Sequence, residues 1–206
     1  MSVELCLVRH GQSKWNAEGR TQGQHPSKEN CLSVLGIEQA KALAKRLEPL
    51  EFDHIYSSDL PRTLQTARIC YPDPDTAITQ DTRLREIKRA ALAGKTHLER
   101  TPEERELLKF IKEDRFSRRP PDGENHQDVM ERVKAWMTEL PEEGRLLVFT
   151  HGGVIRAALA LLIGYEHARV FELENTGITR LNLSKGKTRV ICVNDRAHLS
   201  LDFSSQ

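Results

Sequence analysis

Histidine and glycine occur together at two places in this chain, each time directly after a short apolar run. Residues 9–11 have the sequence Arg-His-Gly and follow the apolar residues 3–8, and residues 150–153 have the sequence Thr-His-Gly-Gly and follow residues 146–149. A third polar turn, residues 57–62 with the sequence Ser-Ser-Asp-Leu-Pro-Arg, follows the run 53–56. Guanidinium and imidazole groups beside flexible glycines are suited to binding an anion.

The three runs are strand-like, and ligands in open α/β sheets bind beyond the carboxyl ends of the strands. If the three strands lie side by side, Arg9, His10, Arg62 and His151 converge on one pocket. A single Arg-His-Gly turn would equally suit a strand end with a surface arginine and a histidine bonded to the backbone. Because a polar turn with Arg or His follows all three runs, an anion-binding pocket is favoured, and a phosphate is the most plausible ligand.

These residue types fit the hydrolysis of a phosphate monoester. Arg9 and Arg62 can neutralise the phosphate oxygens, and a histidine with one nitrogen held by a backbone partner has a lone pair on the other. His10 is therefore the candidate nucleophile, which would carry the phosphoryl group between two displacements. His151, charged or neutral, would donate a hydrogen bond to the same oxygens.

The remaining parts of the predicted site come from three further positions. The helix amides near Gly152 would add positive potential, and Asn16 would add a neutral donor. Glu86 is the best-placed carboxylate to protonate the leaving alkoxide. Because the protein supplies the cations, the scheme needs no metal ion and no cofactor.

The elements that must position these residues alternate between strand and helix patterns. Ser33 is a candidate cap for a helix over residues 35–47, and Ser58 or Asp59 is the candidate cap of the helix that ends near residue 70. Further helices are predicted over residues 102–113, 124–140 and 153–163. Further strands are predicted over residues 77–80, 170–174, 179–183 and 189–193, the last two joined around Lys185 and Gly186. The alternation predicts a single α/β domain, with residues from about 97 to 123 as a lid or insertion.

Composition narrows the classes of function. The net charge of +1 over 206 residues gives no electrostatic argument for nucleic acid or an anionic membrane, and no targeting or membrane-spanning run is present. Four well-separated cysteines and no paired histidine ligands indicate a reducing cytoplasm and no metal site. The basic cluster of Arg115, Arg118 and Arg119 is either a solvated face or a clamp on the far end of an anionic substrate. The oligomeric state is left open, a dimer included.

Four ordered motifs together resemble the histidine phosphatase superfamily, in the branch of cofactor-dependent phosphoglycerate mutases and small phosphatases. They are residues 9–11, residues 57–67, residues 84–87 (Leu-Arg-Glu-Ile) and residues 150–153. The resemblance implies a three-layer α/β/α fold with a mostly parallel central sheet. It implies His10 as the phosphorylated residue, a phosphate pocket of Arg9, Arg62 and His151, and Glu86 as the proton donor. Asn16 and the turn of Gln22 and Gly23 match positions that line the pocket in such proteins.

Two segments depart from the family's pattern, residues 90–94 and residues 121–125, and both would border the leaving group. The natural substrate, a small phosphorylated metabolite, therefore cannot be carried over from the family. The segment between Glu86 and His151 is shorter than in the dedicated mutases, which favours hydrolysis over mutase chemistry. A phosphoglycerate mutase and a non-catalytic phosphate-binding module on the same fold remain the alternatives.

Overall fold

The computed structural model of the chain describes residues 2–25, 27–184 and 187–199. Its centre is a six-stranded sheet formed by β1 (Ser2–Arg9), β2 (His54–Ser57), β3 (Thr79–Gln80), β4 (Gly144–Thr150), β5 (Ile178–Ser184) and β6 (Arg189–Asp195). The order across the sheet is β3-β2-β4-β1-β5-β6. The first four of these are mutually parallel, whereas β5 pairs antiparallel with both β1 and β6.

The side chains of β1 alternate between two separate cores because successive residues of a strand point to opposite faces. Leu5 and Leu7 lie in the core that covers one face, whereas Cys6 and Val8 lie in the core on the other. Both faces are covered, which explains why residues 3–8 are nearly continuously apolar. The predicted three-layer α/β/α architecture is therefore confirmed.

Helices form the two outer layers. They are α1 (Lys14–Ala17), α2 (Val34–Leu47), α3 (Pro61–Cys70), α4 (Pro102–Glu113), α5 (His126–Thr138), α6 (Gly152–Ile163) and α7 (Tyr165–Ala168). Helices α5 and α6 pack on the face that carries Leu5, and α2 and α3 pack on the face that carries Cys6. The Ser33 side chain accepts a hydrogen bond from the amide of Gly36, so the predicted cap of α2 is confirmed.

The predicted cap of α3 is wrong. Leu60 occupies the cap position without a side-chain hydrogen bond, and Pro61 begins the helix. The carboxylate of Asp59 is instead paired with the guanidinium group of Arg85. The hydroxyl of Ser58 accepts from the amide of Leu60, one residue before the helix. A charge-assisted pair with Arg85 replaces the local cap because it is the stronger partner for the carboxylate.

The strand predicted over residues 170–174 is absent. Residues 171–174 are irregular, and the carbonyls of Phe171 and Leu173 accept hydrogen bonds from the side chains of Arg156 and Arg9. These carbonyls are used by arginine side chains and not by a neighbouring strand. The segment therefore supports the end of β1 without extending the sheet.

Other boundaries differ by a few residues. Helix α5 begins at His126, after a capping box of Asn125 and Asp128, and β3 is reduced to two residues. The strands β5 and β6 form the predicted antiparallel pair, and the turn at Lys185 and Gly186 lies outside the described residues. Residues 97–123 contain α4, and their role as a lid stays a prediction. Among the described residues, no helix has the length and apolar character needed to cross a membrane.

Candidate active site

Three strand ends meet at one edge of the sheet. Strand β4 lies between β1 and β2, with Arg9 opposite Thr150 and Ser57 opposite Phe149. The residues that follow these strands are therefore neighbours, and the ring centroids of His10 and His151 are 5.1 Å apart. Two histidines separated by some 140 positions in sequence share one site.

The backbone of His10 is fixed on both sides. Its amide donates to the carbonyl of Thr150 at 2.9 Å, and its carbonyl accepts from the side-chain amide of Asn175 at 2.9 Å. The following amide, that of Gly11, donates to the Thr66 hydroxyl in α3 at 3.0 Å. The turn at His10 and Gly11 is therefore held by three parts of the fold, namely strand β4, helix α3 and the loop before β5.

The hydrogen bonds of His10 define its tautomer. Nδ1 lies 2.7 Å from the carbonyl oxygen of Gly11 and must donate to it, so the proton is on Nδ1. Nε2 accepts a hydrogen bond from Nε of Arg62 at 3.2 Å and therefore carries the lone pair. Burial lowers the pKa of His10 well below its usual value, and Arg62 and Arg9 lower it further. The ring is neutral at pH 7.

Arg62 connects the two histidines. It lies in the first turn of α3, only 1% exposed, where the helix dipole disfavours a cation. Its Nη2 donates to the carbonyl of Gly23 at 3.0 Å and to Nδ1 of His151 at 3.2 Å. Gly23 adopts a φ of 55°, the left-handed conformation that glycine accepts most readily. Burial lowers the pKa of Arg62 to about 10, so the group stays charged at pH 7.

Each of the two arginines has a buried nitrogen that is free to bind a ligand. Nη1 of Arg62 and Nε of Arg9 have no hydrogen-bond partner among the described residues. The other end of Arg9 donates from Nη1 to the carbonyl of Leu173. Buried charged donors without partners are costly and are normally satisfied by a ligand or by water. Both arginines line the same cavity as His10, so an oxyanion there would satisfy them.

His151 is the cap residue of α6 and is fully buried. Its Nδ1 accepts from Arg62, so the proton is on Nε2, which lies 3.0 Å from the hydroxyl oxygen of Ser58 and 3.1 Å from that of Thr63. Burial lowers the pKa of His151 well below its usual value, with Arg62 as the next cause, and the ring is neutral. Both ring nitrogens are used within the protein, and His151 does not line the cavity. The structure places it behind Arg62, where it orients the guanidinium group.

Glu86 lies against the start of α6. Its Oε1 accepts from the amide of Ile87 at 2.8 Å, and its Oε2 accepts from the amide of Gly153 at 3.4 Å. A Cβ atom at position 153 would lie 2.1 Å from Oε1 of Glu86, a distance that real atoms do not tolerate. The glycine is therefore required for this close approach.

These groups surround a cavity of about 280 Å³. The predicted residues that line it are Arg9, His10, Gln22, Gly23, Arg62, Glu86 and Gly152. Asn16 does not line it, and its Oδ1 accepts from the amide and the hydroxyl of Ser13 in the capping box of α1. Among the groups of three or more His, Cys, Asp or Glu side chains in the described residues, none has a geometry that could hold a metal ion.

Several lining residues were not identified from the sequence. They are Thr21, Ile87, Arg89, His126, Gly153, Arg156 and Leu173. One of them carried a local signal, because Arg156 lies one helical turn after Gly152 in the predicted helix. The basic cluster of residues 115–119 divides: Arg115 lines the cavity, whereas Arg118 pairs with Glu113 and Arg119 pairs with Asp128.

A sequence profile described as histidine phosphatase superfamily (branch 1) matches residues 5–196. The probable phosphoglycerate mutase GpmB of Enterobacter sp. (strain 638) is 36% identical over 187 residues, which are 87% of this chain and 85% of the relative.

Solved structures of the same architecture include two phosphatases. The alpha-ribazole phosphatase of Shigella flexneri superposes with a TM-score of 0.85 at 27% identity, covering 94% of this chain and 97% of the other. A phosphoserine phosphatase mutant of Entamoeba histolytica in complex with phosphoserine superposes with a TM-score of 0.81 at 26% identity, covering 96% of this chain and 100% of the other.

Proposed function

We propose that this chain, which belongs to the histidine phosphatase superfamily and is an enzyme of that class, hydrolyses small phosphomonoesters through a phosphohistidine on His10 without a metal ion. The observation that carries the proposal is the arrangement around Nε2 of His10. That nitrogen has the lone pair, and two guanidinium groups line the same cavity, each with a buried N–H donor that has no partner among the described residues.

Binding of the phosphoryl group is the first step. Arg9 and Arg62 would donate charge-assisted hydrogen bonds to its oxygens, and the first amide of α6, that of Gly152, would add a donor and positive potential. Gln22 and Gly23 would border the phosphoryl group at the cavity wall. His151 would act indirectly, because it holds Arg62 and does not reach the cavity. Asn16 would act indirectly, because it bonds to the Ser13 hydroxyl, which lies 3.0 Å from Oε1 of the lining residue Gln22.

The first displacement forms a P–N bond and breaks a P–O bond. The hydrogen bond from Arg62 to Nε2 of His10 would shift to a phosphate oxygen, which releases the lone pair for in-line attack on phosphorus. The Gly11 carbonyl would keep the proton on Nδ1 as positive charge develops on the ring. The leaving alkoxide takes its proton from the carboxylic acid of Glu86.

The second displacement returns the enzyme to its starting state. Water attacks the phosphohistidine, its proton passes to the carboxylate of Glu86, and the P–N bond breaks to release inorganic phosphate. No cofactor is used in either step. Arg9 and Arg62 supply the positive charge that stabilises the transferring phosphoryl group. In many other phosphoryl-transfer enzymes a metal ion supplies that charge.

The test uses p-nitrophenyl phosphate in the presence of EDTA. Wild-type protein should release nitrophenol, His10→Ala should be inactive, and a phosphoenzyme that is labile in acid and stable in base should be trapped from the wild type only. Turnover that survives in His10→Ala, or that requires an added divalent ion, would contradict the proposal. Circular dichroism of His10→Ala separates lost chemistry from lost folding.

A mutase is the second candidate because the GpmB relative is 36% identical to this chain. It would retain the phosphoryl group on the enzyme and transfer it to another hydroxyl of a sugar acid. Incubation with 3-phosphoglycerate separates the two: release of inorganic phosphate supports hydrolysis, and formation of the 2-isomer without release supports the mutase.

A further inference from the structure

Three arginines that line the cavity are not used by the proposed phosphoryl transfer. Arg89 begins the short 3₁₀ turn after Glu86, Arg115 lies between α4 and α5, and Arg156 lies in the second turn of α6. Across residues 2–25, 27–184 and 187–199, none of the three forms a salt bridge. In contrast, Arg118, Arg119 and Arg169 nearby each pair with a carboxylate. Within the part of the chain that the structure describes, the only side-chain hydrogen bond of the three goes from Arg156 to the carbonyl of Phe171 at 3.1 Å.

The charges of the cavity are therefore unbalanced. Five guanidinium groups line it against one carboxylate, that of Glu86. A dianionic phosphoryl group bound by Arg9 and Arg62 would leave a formal charge of about +2 uncompensated if Glu86 is ionised, and about +3 if Glu86 is protonated as the proposed general acid. Burial lowers the pKa of Arg89 and of Arg156, and the nearby Arg115 contributes to the decrease in both. Three cations held together at this cost favour an anionic ligand.

His126 supplies a neutral donor among the three arginines. It is the first residue of α5, only 7% exposed, and its ring centroid lies 5.2 Å from that of Tyr165. Burial, with smaller contributions from Arg89 and Arg156, lowers the pKa of His126 to about 4, so the imidazole is neutral at pH 7. In the described part of the chain, its ring nitrogens have no hydrogen-bond partner.

A second cavity locates this group of side chains. That cavity, of about 390 Å³, is lined by three of these side chains, Arg115, His126 and Arg156, but not by Arg89. Its other lining residues are Phe116, Tyr165, Lys112, Arg169, Glu113, Asp114 and Glu166. Two of the three carboxylates are already paired, Glu113 with Arg118 and Glu166 with Arg169. It includes none of the residues around Nε2 of His10. The shared side chains therefore lie at the end of the active-site cavity that is remote from the nucleophile, where the alcohol part of a phosphomonoester would lie.

We infer that Arg89, Arg115, Arg156 and His126 form a second anion-binding subsite, and that the preferred substrates are phosphomonoesters whose alcohol part carries a carboxylate or a second phosphate. The inference rests on the proposed phosphatase function, because it assigns the alcohol part to this end of the cavity. It also explains why Arg115 lines the active-site cavity while Arg118 and Arg119 pair with acidic residues that do not line it.

The test compares substrates that differ by one anion. In 3-phosphoglycerate a carboxylate replaces the hydroxymethyl group of glycerol 3-phosphate, and fructose 1,6-bisphosphate adds a phosphate to fructose 6-phosphate. In one of the two pairs, wild-type kcat/KM should be at least about tenfold higher for the more anionic substrate. The pair that shows this preference identifies the second anion as a carboxylate or a phosphate. Arg89→Gln, Arg115→Gln and Arg156→Gln should each lower that ratio about tenfold or more, as expected for a lost charge-assisted hydrogen bond.

Arg119→Gln is the matched control, because Arg119 lies in the same segment as Arg115 but pairs with Asp128 outside the cavity. It should keep the wild-type ratio. Arg156→Lys, which retains the charge, should restore part of the ratio lost in Arg156→Gln and so separates an electrostatic effect from misfolding. Ratios near one in both wild-type pairs, or ratios that do not change in the three glutamine variants, would overturn the subsite.

The two proposals can fail separately. Hydrolysis of p-nitrophenyl phosphate through His10 with no preference for a second anion would leave the phosphatase intact and overturn the subsite. Binding of 3-phosphoglycerate to His10→Ala, measured by calorimetry, provides a readout without turnover. The comparison is with the double variant His10→Ala, Arg115→Gln. If the double variant binds 3-phosphoglycerate more weakly than His10→Ala, and the wild type hydrolyses no substrate, the subsite is supported and the phosphatase proposal fails.

Discussion

The carboxylate of Glu86 lies so close to Gly153 that a single Cβ atom at position 153 would be 2.1 Å from Oε1. The backbone amide of Gly153 also donates a hydrogen bond to Oε2 of Glu86 at 3.4 Å. The start of α6 thus fixes the proposed general acid both by a hydrogen bond and by the space that a missing side chain leaves. This relation gives the first of four predictions.

Gly153→Ala should displace the Glu86 carboxylate and lower kcat/KM about 100-fold for an alkyl phosphate, because an ångström of misplacement is costly in catalysis. The fold should be retained, since alanine is favoured over glycine in a helix by up to about 1 kcal/mol. Steady-state kinetics and a thermal melt check both. Gly152→Ala is the steric comparison: a Cβ there would have Arg9 as its nearest neighbour at 3.9 Å, so the loss should be smaller. Equal losses in the two variants would contradict the prediction.

Glu86→Gln should have an effect that depends on the leaving group. An amide cannot donate the proton that an alkoxide needs, so kcat/KM should fall by about 10² to 10⁴ for glycerol 3-phosphate. Nitrophenolate leaves without full protonation, and the loss for p-nitrophenyl phosphate should be much smaller. A similar decrease for both substrates would mean that Glu86 binds or positions the substrate and does not supply the proton.

Inorganic phosphate should stabilise the folded protein. A ligand that binds only the native state raises the free energy of unfolding, by about 2.7 kcal/mol at a concentration of 100 times Kd. The increase in Tm should disappear in Arg62→Gln, which removes a buried donor, and should persist in Arg119→Gln. Sodium chloride at matched ionic strength serves as the reference. An equal shift in Arg62→Gln would place the bound phosphate outside the proposed pocket.

Stability should decrease as the pH falls below about 6.5. The pKa values of His10 and His151 are well below the ordinary value in the folded state, chiefly because both rings are buried. Below the unfolded pKa of about 6.5 the unfolded chain binds protons that the folded chain does not, so the free energy of unfolding decreases by up to about 1.4 kcal/mol per pH unit for each histidine. Urea unfolding at pH 7.5, 6.5 and 5.5 measures the slope.

Ring resonances provide the residue-level check of this pH dependence. In NMR spectra the His10 ring should remain protonated on Nδ1 and the His151 ring on Nε2 throughout pH 5.5–7.5, as their hydrogen bonds require. A titration midpoint near 6.5 for either ring would contradict the assignment.

The sequence alone determined the elements and part of the site. Residues 3–8, apart from Glu4, are apolar on both faces of a strand, Ser33 caps a helix, and the polar turns follow strands, which are all local patterns. Because parallel strands end at the same edge of a sheet, local placement was sufficient to bring Arg9, His10, Arg62 and Glu86 to one cavity.

Only the tertiary structure decided how the side chains around that cavity are used. Asp59 pairs with Arg85 and does not cap α3, His151 lies behind Arg62, and residues 170–174 form no strand. Arg89, His126 and Arg156 reach the same cavity from three separate segments. Each outcome depends on a partner that is distant in sequence. Local sequence patterns, such as helical periodicity or a capping residue, do not predict which of several available partners a charged side chain will contact. The sequence determined which groups are present at the edge of the sheet, and packing determined which of them face the substrate.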